Sequence, residues 1–149
     1  MSRLAPHIDL YRVMLLQMRR SVIAGGVIVN AKPVFVLSLI DAIESGLVTS
    51  NRFPYSSELA TIYQNRWKRH ITDMAPTPFC KPFFHLTNDQ FWHIQWKEPV
   101  SFTSSSEKRM RDFVDYGYLD NALWDLLQDQ DNRDFYRKEI VNFFLPSNE

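Results

Sequence analysis

Side chains that could do chemistry are few in this chain. Its one cysteine, Cys80, stands beside Lys81, and no partner base is evident, so we expect a small buried side chain and not a nucleophile. The carboxylates of the C-terminal third look like helix surface and caps and not like a nuclease cluster. Metal-ligand spacing and a CxxC pair are both missing among the histidines and the cysteine: His7, His70, His85, His93 and Cys80. We therefore expect no catalytic site, no metal and no cofactor.

Cations and aromatic residues lie together in the middle of the chain. Lys81-Pro82 is followed by Phe83-Phe84-His85, and a basic stretch, Arg66-Trp67-Lys68-Arg69-His70, lies just upstream. The two alternating apolar runs at 80–86 and 91–94 predict a β-hairpin around a polar turn. A hairpin beside a basic helix end is an arrangement with which small domains bind a nucleic-acid backbone.

Charge is unevenly distributed although the formal net charge is zero. Residues 1–100 hold 11 Lys/Arg against 7 Asp/Glu, whereas residues 101–149 hold 6 against 10. Such asymmetry can steer a polyanion to one face of a protein. The alternative is that both excesses are ordinary solvated surface.

Composition indicates a globular protein of one domain. The length of 149 residues, with 45% hydrophobic and 23% charged residues, is typical of a domain with a real core. No apolar run approaches the roughly 20 residues of a membrane-spanning helix, and residues 1–9 lack the apolar stretch of a signal peptide. A single cysteine fits a reducing compartment. We expect a cytoplasmic protein.

Helices account for most of the predicted elements. Apolar residues at helical spacing predict a first helix over 6–21, ended by Gly25-Gly26. Lys32-Pro33 opens a second helix, since proline suits a first turn. The run 34–43 is apolar on nearly all sides, which predicts the buried centre of the fold, with Gly46 as its stop.

Capping residues predict the remaining helices. Ser56 or Ser57 caps a third helix, and Ser104 with Glu107 opens a helix through Val114. Leucines at 119–127 mark another, and Asn132 caps the last. Four residues of that last helix are expected in the core: Phe135, Ile140, Phe143 and Phe144. The predicted fold class is α+β, a mainly helical single domain over 1–149 with a small antiparallel hairpin, for which a winged-helix-like arrangement is one option.

Several motifs in their order resemble a known family. The run Lys32-Pro33-Val34-Phe35-Val36-Leu37-Ser38-Leu39-Ile40-Asp41 is followed by Glu44-Ser45-Gly46 and Asn51-Arg52, and later by Pro82-Phe83-Phe84-His85-Leu86. Leu119-Asp120 and a helix with Arg133 and Arg137 that ends in Phe143-Phe144 complete the pattern. From Gly26 to Phe144 the chain resembles the sulfur-binding domain of bacterial phosphorothioate-dependent restriction endonucleases, usually found before an HNH nuclease domain.

This resemblance implies a domain that binds double-stranded DNA carrying a phosphorothioate, in which sulfur replaces a non-bridging phosphate oxygen. It implies a sulfur pocket with Pro82 as its floor, together with Lys32, Pro33, Lys81 and His85. Lys32 matches a basic residue expected to touch the modified phosphate. A fused or associated HNH nuclease is the implied partner, and the chain itself is implied to be a recognition domain of a restriction-modification system without enzyme activity.

The chain departs from the family pattern at three positions of the pocket. Lys81 stands where family members can carry an aromatic residue, His85 where some carry a smaller residue, and Ala31 where a histidine often precedes the basic residue. These departures bear on the shape of the pocket and on the preferred DNA sequence. Further implied contacts to flanking phosphates or bases are Asn30, Ala31, Arg52, Arg66, Lys68, Arg69 and His70.

Two other functions remain open from the sequence. A winged-helix-like protein-interaction module would use the acidic C-terminal helices as its partner surface, and its binding would be insensitive to salt. An independent nuclease is disfavoured because the catalytic ligands are missing from the sequence.

Overall fold

The computed structural model of the chain describes residues 5–146 and has the α+β fold that the sequence predicts. Residues 1–4 and 147–149 lie outside the described residues. They are the two ends of the predicted domain, and 1–4 also begin the segment that lacks a signal-peptide pattern. Within 5–146 the α-helices, α1 to α7 in chain order, are Ala5–Leu16, Ala31–Glu44, Ser57–His70, Cys80–His85, Glu107–Phe113, Asn121–Leu126 and Gln130–Phe144. The strands β1 to β4 are Ser21–Ile23, Val27–Val29, Trp92–Trp96 and Val114–Leu119. Ala24–Gly26 and Leu86–Asp89 form single 3-10 turns.

Helix α2 is the buried centre of the fold, which confirms the sequence prediction. Every residue from 33 to 40 is buried, and the helix packs against α3, α4 and α7. Its one buried hydroxyl, that of Ser38, donates to the Val34 carbonyl at 2.8 Å. Gly46 lies just beyond its end with a φ of 80°, a conformation that glycine adopts without steric cost. Each buried leucine, isoleucine or phenylalanine contributes about 1.5–3 kcal/mol, and α2 carries more of them than any other helix within 5–146.

The predicted hairpin over 80–94 is wrong in its first strand. Residues 80–85 form helix α4, because Phe79 and Phe83, four residues apart, fall on one helical face and enter the same aromatic cluster. A short apolar run of this kind fits a helix and a strand equally well. The winged-helix-like option depended on this hairpin and therefore loses its basis.

The strand that does form, β3, pairs antiparallel with β4. Trp92 lies opposite Leu119 and Ile94 opposite Gly117 in the register. A Cβ atom at Gly117 would overlap the indole of Trp92, which is fully buried. Only glycine fits this position, because the strand passes directly over the indole ring. Only helices were predicted after the hairpin over 80–94, and this is also wrong, since strand β4 follows the short helix α5.

A hairpin that does form, β1–β2, was not predicted. Helix α1 ends at Leu16, earlier than the expected 21, and Gly25-Gly26 forms the turn of the hairpin with φ values of 83° and 77°. Ser21 pairs with Val29 and Ile23 with Val27. The two glycines therefore close a hairpin and do not end a helix.

Two predicted caps differ from those observed and one is confirmed. Ser56 caps α3 by accepting the Leu59 N–H, as predicted. Ser106 in place of Ser104 caps α5, and Asp129 in place of Asn132 caps α7. Asn132 lies inside α7, where its amide donates to the Leu126 carbonyl at 2.9 Å.

The exposed side of α7 holds two residues that were expected in the core. Phe135 and Phe143 are 37% and 57% exposed, whereas Ile140 and Phe144 are buried as predicted. None of the helices within 5–146 combines the length and the apolar character that crossing a membrane requires.

Candidate nucleic-acid interface

A surface cavity of about 250 Å³ collects most of the residues proposed for the sulfur pocket. Three separate segments contribute to it: the β1–β2 hairpin, the first turn of α2 and the region of α4. Its lining residues are Ser21, Ile23, Val29, Ala31, Lys32, Thr77, Lys81, Pro82 and His85. We call it the hairpin cavity. Ala31, Lys32, Lys81, Pro82 and His85 were named from the sequence, so residues far apart in the chain meet here.

The two helices that flank the cavity begin in the same way. Helix α2 starts Ala31-Lys32-Pro33 and helix α4 starts Cys80-Lys81-Pro82, each with a small residue, a lysine and a proline. Proline is tolerated in a first turn because its missing N–H has no intrahelical partner there. The lysine at the second position of each helix, Lys32 or Lys81, lines the cavity.

An aromatic cluster behind the cavity fixes α4 against α2. The ring of Phe35 in α2 lies 5.8 Å from that of Phe83 in α4 and 5.4 Å from that of Trp92, in edge-to-face geometry. Trp92 Nε1 also donates to the Phe83 carbonyl at 2.8 Å. Edge-to-face pairs each add about 0.5–1.5 kcal/mol beyond area burial. The cavity is thus built on rigid elements.

The ammonium of Lys32 is held at the cavity by an ion pair. Its Nζ donates to Asp89 Oδ2 at 2.6 Å, and the two side chains are 14% and 5% exposed. The pair is therefore largely withdrawn from water. Its geometry is more defined than that of an exposed ion pair. Sequence analysis did not single out Asp89, which lies 57 residues away along the chain.

Burial and nearby cations in the cavity change the protonation of His85. Burial, and then the charges of Lys32 and Lys81, lower the pKa of this imidazole. His85 is consequently neutral near pH 7, where one ring nitrogen can donate and the other accept a hydrogen bond. Burial likewise raises the pKa of the Cys80 thiol, so this residue is protonated at neutral pH.

Pro33 and Asn30 lie beside the cavity without lining it. Pro33 is buried beneath the start of α2. The amide of Asn30 accepts from Arg20 Nη1 at 2.9 Å and donates to the Phe144 carbonyl at 3.2 Å. The oxygen of Asn30 is thus held by Arg20 and its nitrogen by the end of α7, so the side chain is engaged within the protein.

Arg66 does not belong to the basic surface that the sequence suggested. It is 8% exposed, and its Nη2 donates to Asp41 Oδ1 at 2.8 Å, with a second short contact from Nε to the other oxygen. This two-point ion pair joins α3 to α2 in the interior. A guanidinium held in this way is unsuited to contact a flanking phosphate.

The other proposed DNA contacts lie outside the hairpin cavity. Lys68 and Arg69 are exposed in the last turn of α3, and His70 is half-buried next to Arg66. Burial, followed by the charge of Arg66, lowers the pKa of His70. Arg52 is exposed, and its guanidinium stacks over the ring of Tyr116 at 4.7 Å. The structure does not bring these four residues together with the cavity lining.

The β1–β2 hairpin is the part of the site that sequence reasoning missed. Its tip, 22–28, carries no charged or hydrogen-bonding side chain. Val22, Ile23, Val27 and Ile28 are between 44% and 65% exposed, and exposed apolar groups concentrated in one place are typical of a binding surface. A usable signal was present, since two β-branched runs flanking Gly25-Gly26 predict a hairpin.

Metal chemistry has no obvious location in the described part of the chain. Residues 5–146 hold no group of three or more His, Cys, Asp and Glu side chains placed to bind a metal ion. His85 and His93 both line a second depression of about 770 Å³ beside β3, and His93 Nε2 lies 2.6 Å from Asp120 Oδ1.

Comparison with known proteins gives a structural match. No protein-family model matches the sequence, and no curated protein does. A solved structure, the sulfur binding domain of ScoMcrA complexed with phosphorothioated DNA, superposes with a TM-score of 0.69 at 17% sequence identity. The match covers 93% of this chain and 90% of that chain. The predicted resemblance is thereby confirmed at the level of the fold: this chain has the fold of the sulfur binding domain of ScoMcrA.

Proposed function

We propose that this chain binds double-stranded DNA carrying a backbone phosphorothioate, with the sulfur atom in the hairpin cavity. The observation that carries the proposal is the lining of that cavity, in which Ile23, Val29, Ala31 and Pro82 form apolar walls beside the lysines at the two helix starts. The fold of a domain solved with phosphorothioated DNA supports it. Apolar walls next to cations suit an anion that carries one poorly hydrated atom.

Sulfur and oxygen differ in what they need from such a cavity. Sulfur is larger and more polarisable than oxygen and is a weaker hydrogen-bond acceptor. A phosphate oxygen placed against Pro82, whose nitrogen carries no hydrogen, would lose its water without gaining a donor, at a cost of about 1–3 kcal/mol. A sulfur atom loses less hydration and gains dispersion contacts with the same ring. The cavity therefore favours the modified linkage.

Lysines at the cavity supply the attraction for the anionic backbone. Lys32 and Lys81 offer ammonium donors to the remaining non-bridging oxygen, and neutral His85 can donate one more hydrogen bond. Pro33 contributes indirectly, as a buried residue that shapes the first turn of α2. These contacts hold any phosphate and so contribute affinity, while the apolar walls favour sulfur.

Contacts on either side of the sulfur fall to surface residues. We assign Arg52, Lys68, Arg69 and His70 to flanking phosphates, and leave Arg66 and Asn30 out because both are engaged within the protein. The hairpin tip lies on the rim of the cavity, where its apolar side chains can meet sugar and base edges in a groove. Since the tip lacks hydrogen-bonding side chains, it should discriminate bases weakly.

In the cell this binding would serve a bacterial modification-dependent restriction system. The chain would be the cytoplasmic recognition module, and an HNH nuclease, fused or associated, would cut the DNA. No catalytic step is assigned to the described residues.

The test is a competition between two duplexes that differ only by sulfur at one Rp position. We expect the sulfur duplex to bind more tightly at moderate salt. Arg69→Gln should weaken both duplexes and flatten the salt dependence by about one counterion, because its role is independent of sulfur. Equal binding of the two duplexes across several core sequences would refute the proposal. Absence of DNA binding together with salt-insensitive binding of a protein would favour the interaction module.

A further inference from the structure

A buried carboxylate at the edge of the hairpin cavity has no role in the function proposed so far. Asp89 accepts from Lys32 Nζ through Oδ2 at 2.6 Å, and its other oxygen, Oδ1, accepts the backbone N–H of Arg19 at 2.9 Å. The side chain is 5% exposed. Because both oxygens are engaged, the carboxylate cannot swing with the lysine, and it acts as a fixed anchor for the ammonium.

The backbone around Asp89 is bent into an uncommon conformation. Asp89 ends the 3-10 turn Leu86–Asp89, and the next residue, Gln90, has a φ of 73°. Among the described residues it is the one non-glycine residue with a positive φ. A residue with a side chain adopts this region rarely, and such conformations persist where the surrounding structure holds them. The bend carries Asp89 toward α2 before strand β3 begins.

The two lysines of the cavity are therefore electrostatically different. Lys32 is paired and its ammonium is fixed, whereas Lys81 is exposed and takes part in none of the ion pairs found within 5–146. An ammonium has three donors. With one donor directed at Asp89, the remaining donors of Lys32 are held in set directions instead of following whichever phosphate atom is nearest.

We propose that Asp89 is a specificity-determining positioning residue, which holds Lys32 so that its ammonium meets one non-bridging atom of the phosphate and leaves the other to the apolar wall. This inference rests on the proposed function. In an Rp linkage the oxygen meets Lys32 and the sulfur meets Pro82. In an Sp linkage, or in plain DNA, an oxygen lies against the apolar wall. Asp89 also neutralises Lys32, which lowers the affinity of the cavity for any phosphate.

The test is Asp89→Asn, measured with three duplexes: Rp, Sp and unmodified. Asparagine keeps an oxygen for the Arg19 N–H, so the fold should be retained, and thermal unfolding checks this. We expect affinity for unmodified DNA to rise, by up to about eightfold at 0.1 M salt if one more counterion is released. The ratio of Rp to unmodified affinity should fall, because the unanchored ammonium can follow either atom. Asp112→Asn, which removes an equal charge from the exposed pair with Lys108, is the control and should leave the ratio unchanged.

A double-mutant cycle isolates the mechanism. If Asp89 acts through Lys32, then Asp89→Asn made in a Lys32→Gln background should have no further effect on the ratio. An unchanged ratio in Asp89→Asn, or the same change with and without Lys32, overturns the role of Asp89 while the wild type still prefers Rp. A wild type that binds all three duplexes equally overturns the proposed function, and the role of Asp89 with it.

Discussion

Replacing Pro82 by alanine should reduce the preference for sulfur in two ways, by weakening the contact with sulfur and by making the cavity more favourable to a phosphate oxygen. The substitution removes Cγ and Cδ of the ring from the cavity wall. At about 0.8 kcal/mol for each buried methylene group, the loss is about 1.6 kcal/mol, or ~15-fold in affinity for the Rp duplex. The substitution also restores a backbone N–H in the first turn of α4. The carbonyl of Pro78, its nearest helical acceptor, already receives the Lys81 N–H at 3.0 Å, so the new donor is available to an oxygen.

Affinity for unmodified DNA should therefore be unchanged or slightly raised. The matched control is Pro33→Ala, at the same third position of α2 and likewise buried, but outside the cavity lining. Fluorescence competition with Rp and unmodified duplexes measures both ratios, and thermal unfolding confirms that each variant is folded. If Pro33→Ala reduces the preference as much as Pro82→Ala does, or if Pro82→Ala weakens both duplexes equally, the assignment of the apolar wall is wrong.

Three further experiments test the pH response, the interior ion pair and the hairpin. The pKa of His85 is lowered by burial and by Lys32 and Lys81, and a bound phosphate favours imidazolium, so DNA binding should take up a proton. Affinity for DNA should therefore rise as pH falls from 7 to 5, and His85→Asn should flatten this profile in a pH-dependent titration. A flat wild-type profile would contradict the placement of the ring. Arg66→Met should lower the free energy of unfolding in urea by about 3 kcal/mol, the low end for breaking a buried pair, because Asp41 still pairs with Arg137. The control Lys68→Met, at an exposed position, should change this free energy by less than about 0.5 kcal/mol. Similar losses for the two variants would argue against a buried pair. The double variant Val22→Ser with Ile28→Ser changes a cross-strand pair of the hairpin. It should weaken the binding of both duplexes about fivefold through lost apolar contact and preserve the ratio of their affinities. Unchanged affinity would remove the hairpin from the interface.

The sequence predicts well the elements whose signals are local. Helix α2 follows from an unbroken apolar run, and the start of α3 follows from Ser56, whose cap involves a residue three positions away. The run 80–86 failed because it is too short for its period to decide between helix and strand. Only the packing of Phe83 against Phe35, 48 positions earlier, selects the helix. The hairpin at Gly25-Gly26 could have been predicted from its flanking β-branched residues.

For the site, the limits of prediction lie in long-range pairing. Lys32 and Pro82 follow from motif resemblance, and the structure brings both to one cavity. Arg66 looked like part of a basic surface, because nothing near it in the chain shows that Asp41 pairs with it from another helix. Asp89 looked like a turn residue for the same reason. A charge pattern gives the composition of a surface, and distant partners decide which of those charges face the solvent.

The aromatic cluster of Phe35, Phe83 and Trp92 has a consequence for how the sequence of this fold can diverge. Helix α4 turns Phe83 toward the cluster and Lys81, Pro82 and His85 toward the cavity. Under the proposed function, stability and ligand preference are thus carried by different positions of the same short helix. Substitutions at the cavity positions can accumulate without disturbing the packing that holds the helix in place. Such substitutions would change the shape and charge of the cavity on an unchanged scaffold, which is compatible with a shared fold at 17% identity.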